Sequence, residues 1–460
     1  MFGKAGSTAL FLALLLICST LGSGAQTTPQ PRREELLNGL RILLWNRPGD
    51  ANALLKLRIH SGSVFDLAGK AGMMALLADA LFPDMTTREY FVEELGGRLE
   101  VTSDYDGINV TMSGRASELE RMLEILRTAL VSTQLTPENV GRLRATRIKL
   151  AGDMSTSPTL MADRAIAARL FGDYPLGRPA AGSPETLARI ERPDLLLARE
   201  RFLNPNNATL VLIGGVDNGR ALRALKQLLG SWRKSETIVP ATFRQPEAPD
   251  TRTLIFDLPG TETAEVRLAA RGLARADADY AAATLLALLA RDAWQAQQPE
   301  LARSAFFVRH EGRALPGLFV LGASVPVAEV GKTLQKARQV LASLTKSETP
   351  ADVLERLKSE AIAELNNKSA RPESLADLWL DTDTFNLPSV EDRIRQLRNV
   401  TSKDLQRTAS RLFGTAPLAS VVVGSAAQLK PDIERAGKVE IFGAAPAPSP
   451  GPTPLPARKP

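Results

Sequence analysis

Cysteine is almost missing from this 460-residue chain: the only one, Cys18, sits in an apolar stretch near the N-terminus. Beyond that stretch no internal disulfide and no thiolate metal site can form, so stability must rest on core burial. Histidine is nearly as scarce, with only His60 and His310. Neither has a partner at metal-ligand spacing, which argues against a histidine metal centre and leaves a Ser-His triad without a well-placed base. Both read as surface or turn residues. No G-x-S-x-G elbow occurs, and Gly214-Gly215-Val216-Asp217 lacks the third glycine and the distant acid of a dinucleotide loop. Nor is there a concentrated block of one charge. The 57 basic and 51 acidic residues are spread along the chain and leave a net charge of +6, too diffuse a balance to imply nucleic acid. What remains is ordinary globular material, 44% hydrophobic and 23% charged, in a chain long enough for two cores.

The N-terminus reads as a secretory signal over residues 1–25. Lys4 provides the basic start, Ala9 to Cys18 the apolar segment and Ser23-Gly24-Ala25 the cleavage site. The apolar run is shorter than the roughly 20 residues that span a bilayer, so no membrane span is expected after cleavage. The destination is periplasmic or secreted. A polar leader follows at 26–35. At the other end, 443–460 carries seven prolines and reads as an extended, disordered tail. A proline-broken segment at 236–251 reads as a linker between domains at 36–235 and 252–442.

The two domains repeat one another. Arg41, Pro48-Gly49, Ala53 and Leu57 in the first are answered by Arg252, Pro259-Gly260, Ala264 and Leu268, each 211 residues later. Asp194-Leu195 and Arg201 are answered by Asp404-Leu405 and Arg411 at an offset of 210. A near-constant offset at both ends indicates a duplicated unit of about 200 residues. Within the first unit, strands are predicted at 43–44, 55–59, 101–103, 107–113 and 210–213, and helices at 71–82, 116–131, 137–152 and 159–171. The fold class is α+β: each domain a mostly antiparallel sheet with helices packed on one face.

The segments LRILLWNRPGD, RIHSGSVFDLAGKAGMMALLADALF, EELGGRLEVTSDYDG, YPLGRPAAGSPETL and FLNPNNATLVLIGGVD resemble, in order and spacing, the N-terminal domain of the pitrilysin/insulinase zinc peptidases. That family includes mitochondrial processing peptidase and the core subunits of cytochrome bc complexes. The resemblance covers 36–441 and implies tandem domains. Active members carry H-x-x-E-H on a helix, two imidazoles on one face binding zinc and the glutamate acting as base. Here the resemblance places Ala75, Ala78 and Asp79 at those positions. It puts the further glutamate ligand near 149–155, where Asp153 is the only carboxylate. The reading is therefore no metal ligand and no catalytic residue, with zinc expected only in a partner subunit. A shifted alignment could bring Asp153 towards Asp79, although two carboxylates without imidazole make a poor zinc site. The family's second-domain Arg/Tyr pair finds no tyrosine in 290–312, but Arg291, Arg303 and Arg309 could contact a peptide.

These readings converge on a catalytically inactive peptidase-family subunit that pairs with a zinc-bearing homologue and helps form a chamber for unfolded peptide. The alternatives are a stand-alone structural or peptide-binding homodimer and, more weakly supported by the residues, a zinc endopeptidase with an unconventional site.

Overall fold

The computed structural model describes residues 29–154, 156–237 and 242–443. The expected signal at 1–25 and the proline-rich segment after Gly443 lie outside the described residues, as does part of the expected linker. Two six-stranded sheets organise the chain. The first contains β1 (Arg32–Glu35), β2 (Arg41–Asn46), β3 (Asn52–Ile59), β4 (Arg98–Ser103), β5 (Ile108–Arg115) and β6 (Ala208–Gly214), in the order β1-β2-β6-β3-β5-β4. The second contains β7 (Thr253–Asp257), β8 (Thr263–Arg271), β9 (Phe306–Glu311), β10 (Leu318–Pro326), β11 (Ala419–Gly424) and β12 (Val439–Phe442), in the order β12-β7-β11-β8-β10-β9. Five strands of each sheet match in order and direction. The sixth breaks the symmetry, because β1 runs antiparallel to β2 whereas β12 runs parallel to β7.

Side-chain alternation decides what each face packs against. On β3, Ala53, Leu55, Leu57 and Ile59 are buried in the first core, while Leu54, Lys56 and Arg58 take the opposite face. The first core is closed by the helices Met73–Asp79 and Leu119–Val131, whose Met74, Leu77, Leu123 and Leu126 are buried against it. The second core repeats this with Val266, Leu268 and the helices Tyr280–Ala296 and Val330–Leu344. The helices that close each half's own core therefore lie on one face of its sheet, as the sequence pattern implies.

The other face is covered as well, and by the opposite half. The helix Pro158–Phe171 of the first half lays Ala162, Ala165 and Ile166 against Ala269, Val421 and Val423 of the second sheet. The helix Pro372–Thr384 of the second half lays Leu375, Trp379 and Leu380 against Leu43, Val211 and Ile213 of the first. Burial on both faces explains why β6 and β11 are apolar without alternation. The exchange also carries charge. Asp163 on the first exchanged helix pairs with Arg267 at 2.6 Å, and Asp377, at the matching place on the second, pairs with Lys56 at 2.5 Å. Arg267 lies 211 residues after Lys56, the offset of the duplication itself.

No helix among the described residues is long and apolar enough to cross a membrane.

Candidate functional site

The helix that corresponds to the family's metal motif is Met73–Asp79, shorter at both ends than the span 71–82 expected from sequence. Gly72 starts it at φ 92°, in the left-handed region, and a Cβ there would lie 2.7 Å from Leu187 Cδ2 and 2.9 Å from the Ala181 carbonyl, so only glycine fits. The first turn is capped from a distance. Asp66 accepts the Gly72 N–H at 2.6 Å with one oxygen and the Met74 N–H at 2.8 Å with the other. Burial pushes the Asp66 carboxyl up to about 7, against the opposing pull of those donors.

Ala75 and Ala78 are buried in this helix and offer no donor atom to a metal. Asp79 is the remaining polar residue of the motif, and both of its oxygens are engaged. Arg147, on the helix Pro137–Met154, donates Nε–H to Oδ2 and an Nη2 hydrogen to Oδ1, each at 2.6 Å. A two-pronged guanidinium–carboxylate pair is among the stronger ionic contacts, and it takes up both oxygens of the one carboxylate that the motif retains. Asp153 forms no ion pair among the described residues and lies about 9 Å further along the same helix than Arg147. Among the described residues no group of three or more His, Cys, Asp or Glu could hold a metal ion. The residues at the motif therefore do not fit zinc: two lack ligand atoms and the third is paired to a fixed positive charge.

The two histidines are not the surface or turn residues that their isolation in sequence suggests. His60, at the end of β3, has its Nε2 2.9 Å from Thr209 Oγ1, and that hydroxyl donates to Asp383 on the second exchanged helix. With the threonine hydrogen so directed, Nε2 is the protonated nitrogen. Burial first, then Arg41 and Arg58, lowers its pKa to about 3. His310 accepts the Leu273 N–H at 3.0 Å and packs against Tyr280 at 4.7 Å. Burial and then Arg275 lower its pKa to about 4. Both are neutral packing groups at neutral pH, and neither contacts the other.

The three arginines read as peptide contacts fall in two places. Arg291 and Arg303 line a cavity of about 650 Å³ in the second half, where Arg291 is tied to Asp292 at 2.9 Å and Glu360 at 3.0 Å. Arg309 instead lines a cavity of about 550 Å³ between the halves, with Tyr105, Arg178 and Arg313. It pairs with Asp163 and Glu311 at 3.3 Å each and lies over the Phe307 ring at 4.5 Å. Sequence reasoning assigned no role to Tyr105 and Arg178, although both lie in segments that carry the resemblance, and it missed Arg147, which lies in none of them. Beside the motif helix, β4 is an edge strand whose one strand neighbour among the described residues is β5.

Comparison with known proteins gives a consistent picture. Residues 41–183 match the family described as insulinase, peptidase family M16, and residues 189–361 match the peptidase M16 inactive domain. An uncharacterized zinc protease of Rickettsia felis is 21% identical over 217 residues, 45% of this chain and 52% of that protein. The chain thus spans about half the length of the first curated relatives it matches. An uncharacterized zinc protease of Streptomyces coelicolor is 22% identical over 427 residues, covering 88% of this chain and 92% of that protein. In fold, a protease from Helicobacter pylori superposes with a TM-score of 0.78 at 18% identity, covering 86% of this chain and all (100%) of that one. A chain of complex III2 from Candida albicans superposes with a TM-score of 0.73 at 14% identity, covering 88% of this chain and 99% of that one. Two matched family regions in tandem, on a duplicated α+β fold, show that the chain belongs to the pitrilysin/insulinase family of peptidases, family M16.

Proposed function

We propose that this chain is a non-hydrolytic member of its family that pairs with a zinc-bearing relative and contributes part of the wall of a peptide-binding chamber. One observation carries the reading: Asp79, the only motif position that retains a ligand atom, is held in a bidentate pair by Arg147. A hydrolytic site would need ligands and a base; Ala75 and Ala78 supply neither. What the chain keeps is suited to binding. The free side of β4 can add an extended peptide as a further strand, and the cavity between the halves presents Arg178, Arg309 and Arg313 beside apolar surface. On this reading zinc belongs to the partner subunit, the destination is the periplasm or the outside of the cell, and the substrate is an unfolded polypeptide. The fold likeness to a chain of a large complex supports assembly with other subunits.

Affinity purification of the tagged chain from its native host tests the pairing. A family member carrying H-x-x-E-H is expected in a fixed ratio to this chain, and the complex should hydrolyse unfolded peptide where this chain alone does not. Recovery of a self-dimer without such a partner overturns the pairing.

A further inference from the structure

A further, largely apolar cavity lies in the C-terminal half, remote in sequence from the metal motif. It holds about 260 Å³, somewhat below the roughly 300–1,000 Å³ of pockets for drug-sized ligands, so its occupant must be small. Its apolar wall includes Leu288, Leu365, Leu378, Leu387 and Leu397, and its polar part includes Arg275 and Arg393. The acidic residues of the lining are already paired: Asp277 with Arg411 at 2.8 Å and Glu364 with Lys368 at 2.6 Å. The two arginines are not matched in this way. Arg393 has no carboxylate within 4 Å among the described residues and reaches only Thr382 Oγ1 at 3.2 Å and the Leu378 carbonyl at 3.4 Å. Arg275 has a single carboxylate in range, Asp381 at 3.7 Å, and that group is closer to Arg58, at 2.8 Å. The Nε of both arginines is buried without a hydrogen-bond partner. Such groups are costly to leave unmatched. Burial, and then the neighbouring Arg275, hold the Arg393 guanidinium down at about 10.

The cavity is bordered by the end of the helix Pro372–Thr384, where Asn386 takes φ 51° and Leu387 donates its N–H to the Thr382 carbonyl at 2.9 Å, an ordinary left-handed helix end. The duplication shows why the space is open. In the first half the connection after the exchanged helix runs from Gly172 to Ser183, and Gly182 packs so closely that a Cβ would lie 2.7 Å from the Ala71 carbonyl. In the second half the connection is only Phe385 to Ser389, and its Asn386, Leu387 and Pro388 line the cavity.

We infer that this cavity binds a small carboxylate bearing an apolar group, with Arg275 and Arg393 receiving the anion and the leucines enclosing the substituent. A planar carboxylate suits guanidinium donors, and the five leucines favour an aliphatic group. The chemistry fits either a free aliphatic acid or the C-terminal residue of a polypeptide. The inference does not depend on how the metal motif is read.

Isothermal titration of the full chain with N-acetyl-leucine, N-acetyl-leucinamide, hexanoate and an acetylated pentapeptide ending in leucine tests it. The acid should bind at least about tenfold more tightly than the amide, a difference of about 1.4 kcal/mol, and Arg393→Gln should remove that preference. Tighter binding of the pentapeptide than of hexanoate identifies a polypeptide C-terminus as the occupant, and the reverse identifies a free acid. Equal affinity for acid and amide, no binding of any probe at 10-fold molar excess over about 1 mM protein, or an acid preference that survives in folded Arg275→Gln and Arg393→Gln chains overturns it. The acid-to-amide comparison on the unaltered chain stands even if a variant fails to fold.

Discussion

Trp379→Ala should lower the stability of the whole chain by about 3–5 kcal/mol, and both halves should lose structure in one transition. Trp379 is 3% exposed and belongs by sequence to the second half, yet it is buried against Leu43, Val211 and Ile213 of the first sheet. Its ring meets Trp45 edge-on with centroids 6.1 Å apart. Removing it opens a cavity between the two halves rather than inside one of them, so the loss cannot be confined to either. The same helix is fixed to the first sheet by the pairs of Asp377 with Lys56, Asp381 with Arg58 and Asp383 with Arg41, which limits how far it can move to close the gap. Urea unfolding followed by near-ultraviolet circular dichroism, together with limited proteolysis mapped to each half, reads the result. A first half that unfolds while the second stays protected would contradict the exchanged packing. Val92→Ala, at a side chain 61% exposed, is the matched surface control and should change stability by less than about 0.5 kcal/mol.

Arg267→Ala is expected to cost a similar about 3–5 kcal/mol, for an electrostatic reason. Arg267 is fully buried (0% exposed) on β8, between Asp163 at 2.6 Å and Glu265 at 2.9 Å, with its guanidinium 4.9 Å from the Phe307 ring centroid. Without it, Glu265, itself 9% exposed, is left as a buried carboxylate with no cation. The duplicated pair should behave differently. Lys56 is buried, but its partner Asp377 has a side chain 48% exposed, so water can solvate the carboxylate when Lys56→Ala removes the ammonium. Lys56→Ala should therefore be the milder change in the same urea experiment. Equal losses at the two sites would show that burial of the stranded carboxylate does not set the cost.

The contrast between these two pairs shows where sequence reasoning reaches and where it stops. The offset between Leu57 and Leu268 and between Asp194 and Asp404 is enough to recognise two copies of one α+β unit, and alternation along 53–59 gives β3 its inner face. The edge strands β1 and β12 escape notice because each has only four residues, and β1 has no apolar one. The exchange of helices is also not legible: Pro158–Phe171 and Pro372–Thr384 have ordinary helical patterns, and no local signal says that their apolar faces belong to the opposite sheet. The histidines mislead for a related reason. A lone histidine beside a Ser-Gly turn suggests solvent, whereas His60 is covered by a helix more than three hundred residues away in sequence.

At the metal motif the substitutions Ala75, Ala78 and Asp79 are visible in the sequence once the resemblance aligns them. What Asp79 does instead is not, because Arg147 carries no motif and its approach depends on how two helices cross. The pair converts a position that is merely incomplete into one that holds a fixed cation of its own. Similarly, Arg291, Arg303 and Arg309 lie close in sequence, but the helix Tyr280–Ala296 and the turn at Arg303–Ala305 bring the first two to one cavity while β9 carries Arg309 to another.

The measurement that bears most directly on the non-hydrolytic reading is the zinc content of the purified chain, taken with its activity on unfolded peptide. Elemental analysis after exhaustive dialysis should find zinc far below one ion per chain, and peptide should remain intact. Asp79→Ala should change neither result, because that carboxylate serves Arg147. One tightly held zinc per chain, with hydrolysis that disappears in Asp79→Ala, would contradict the account.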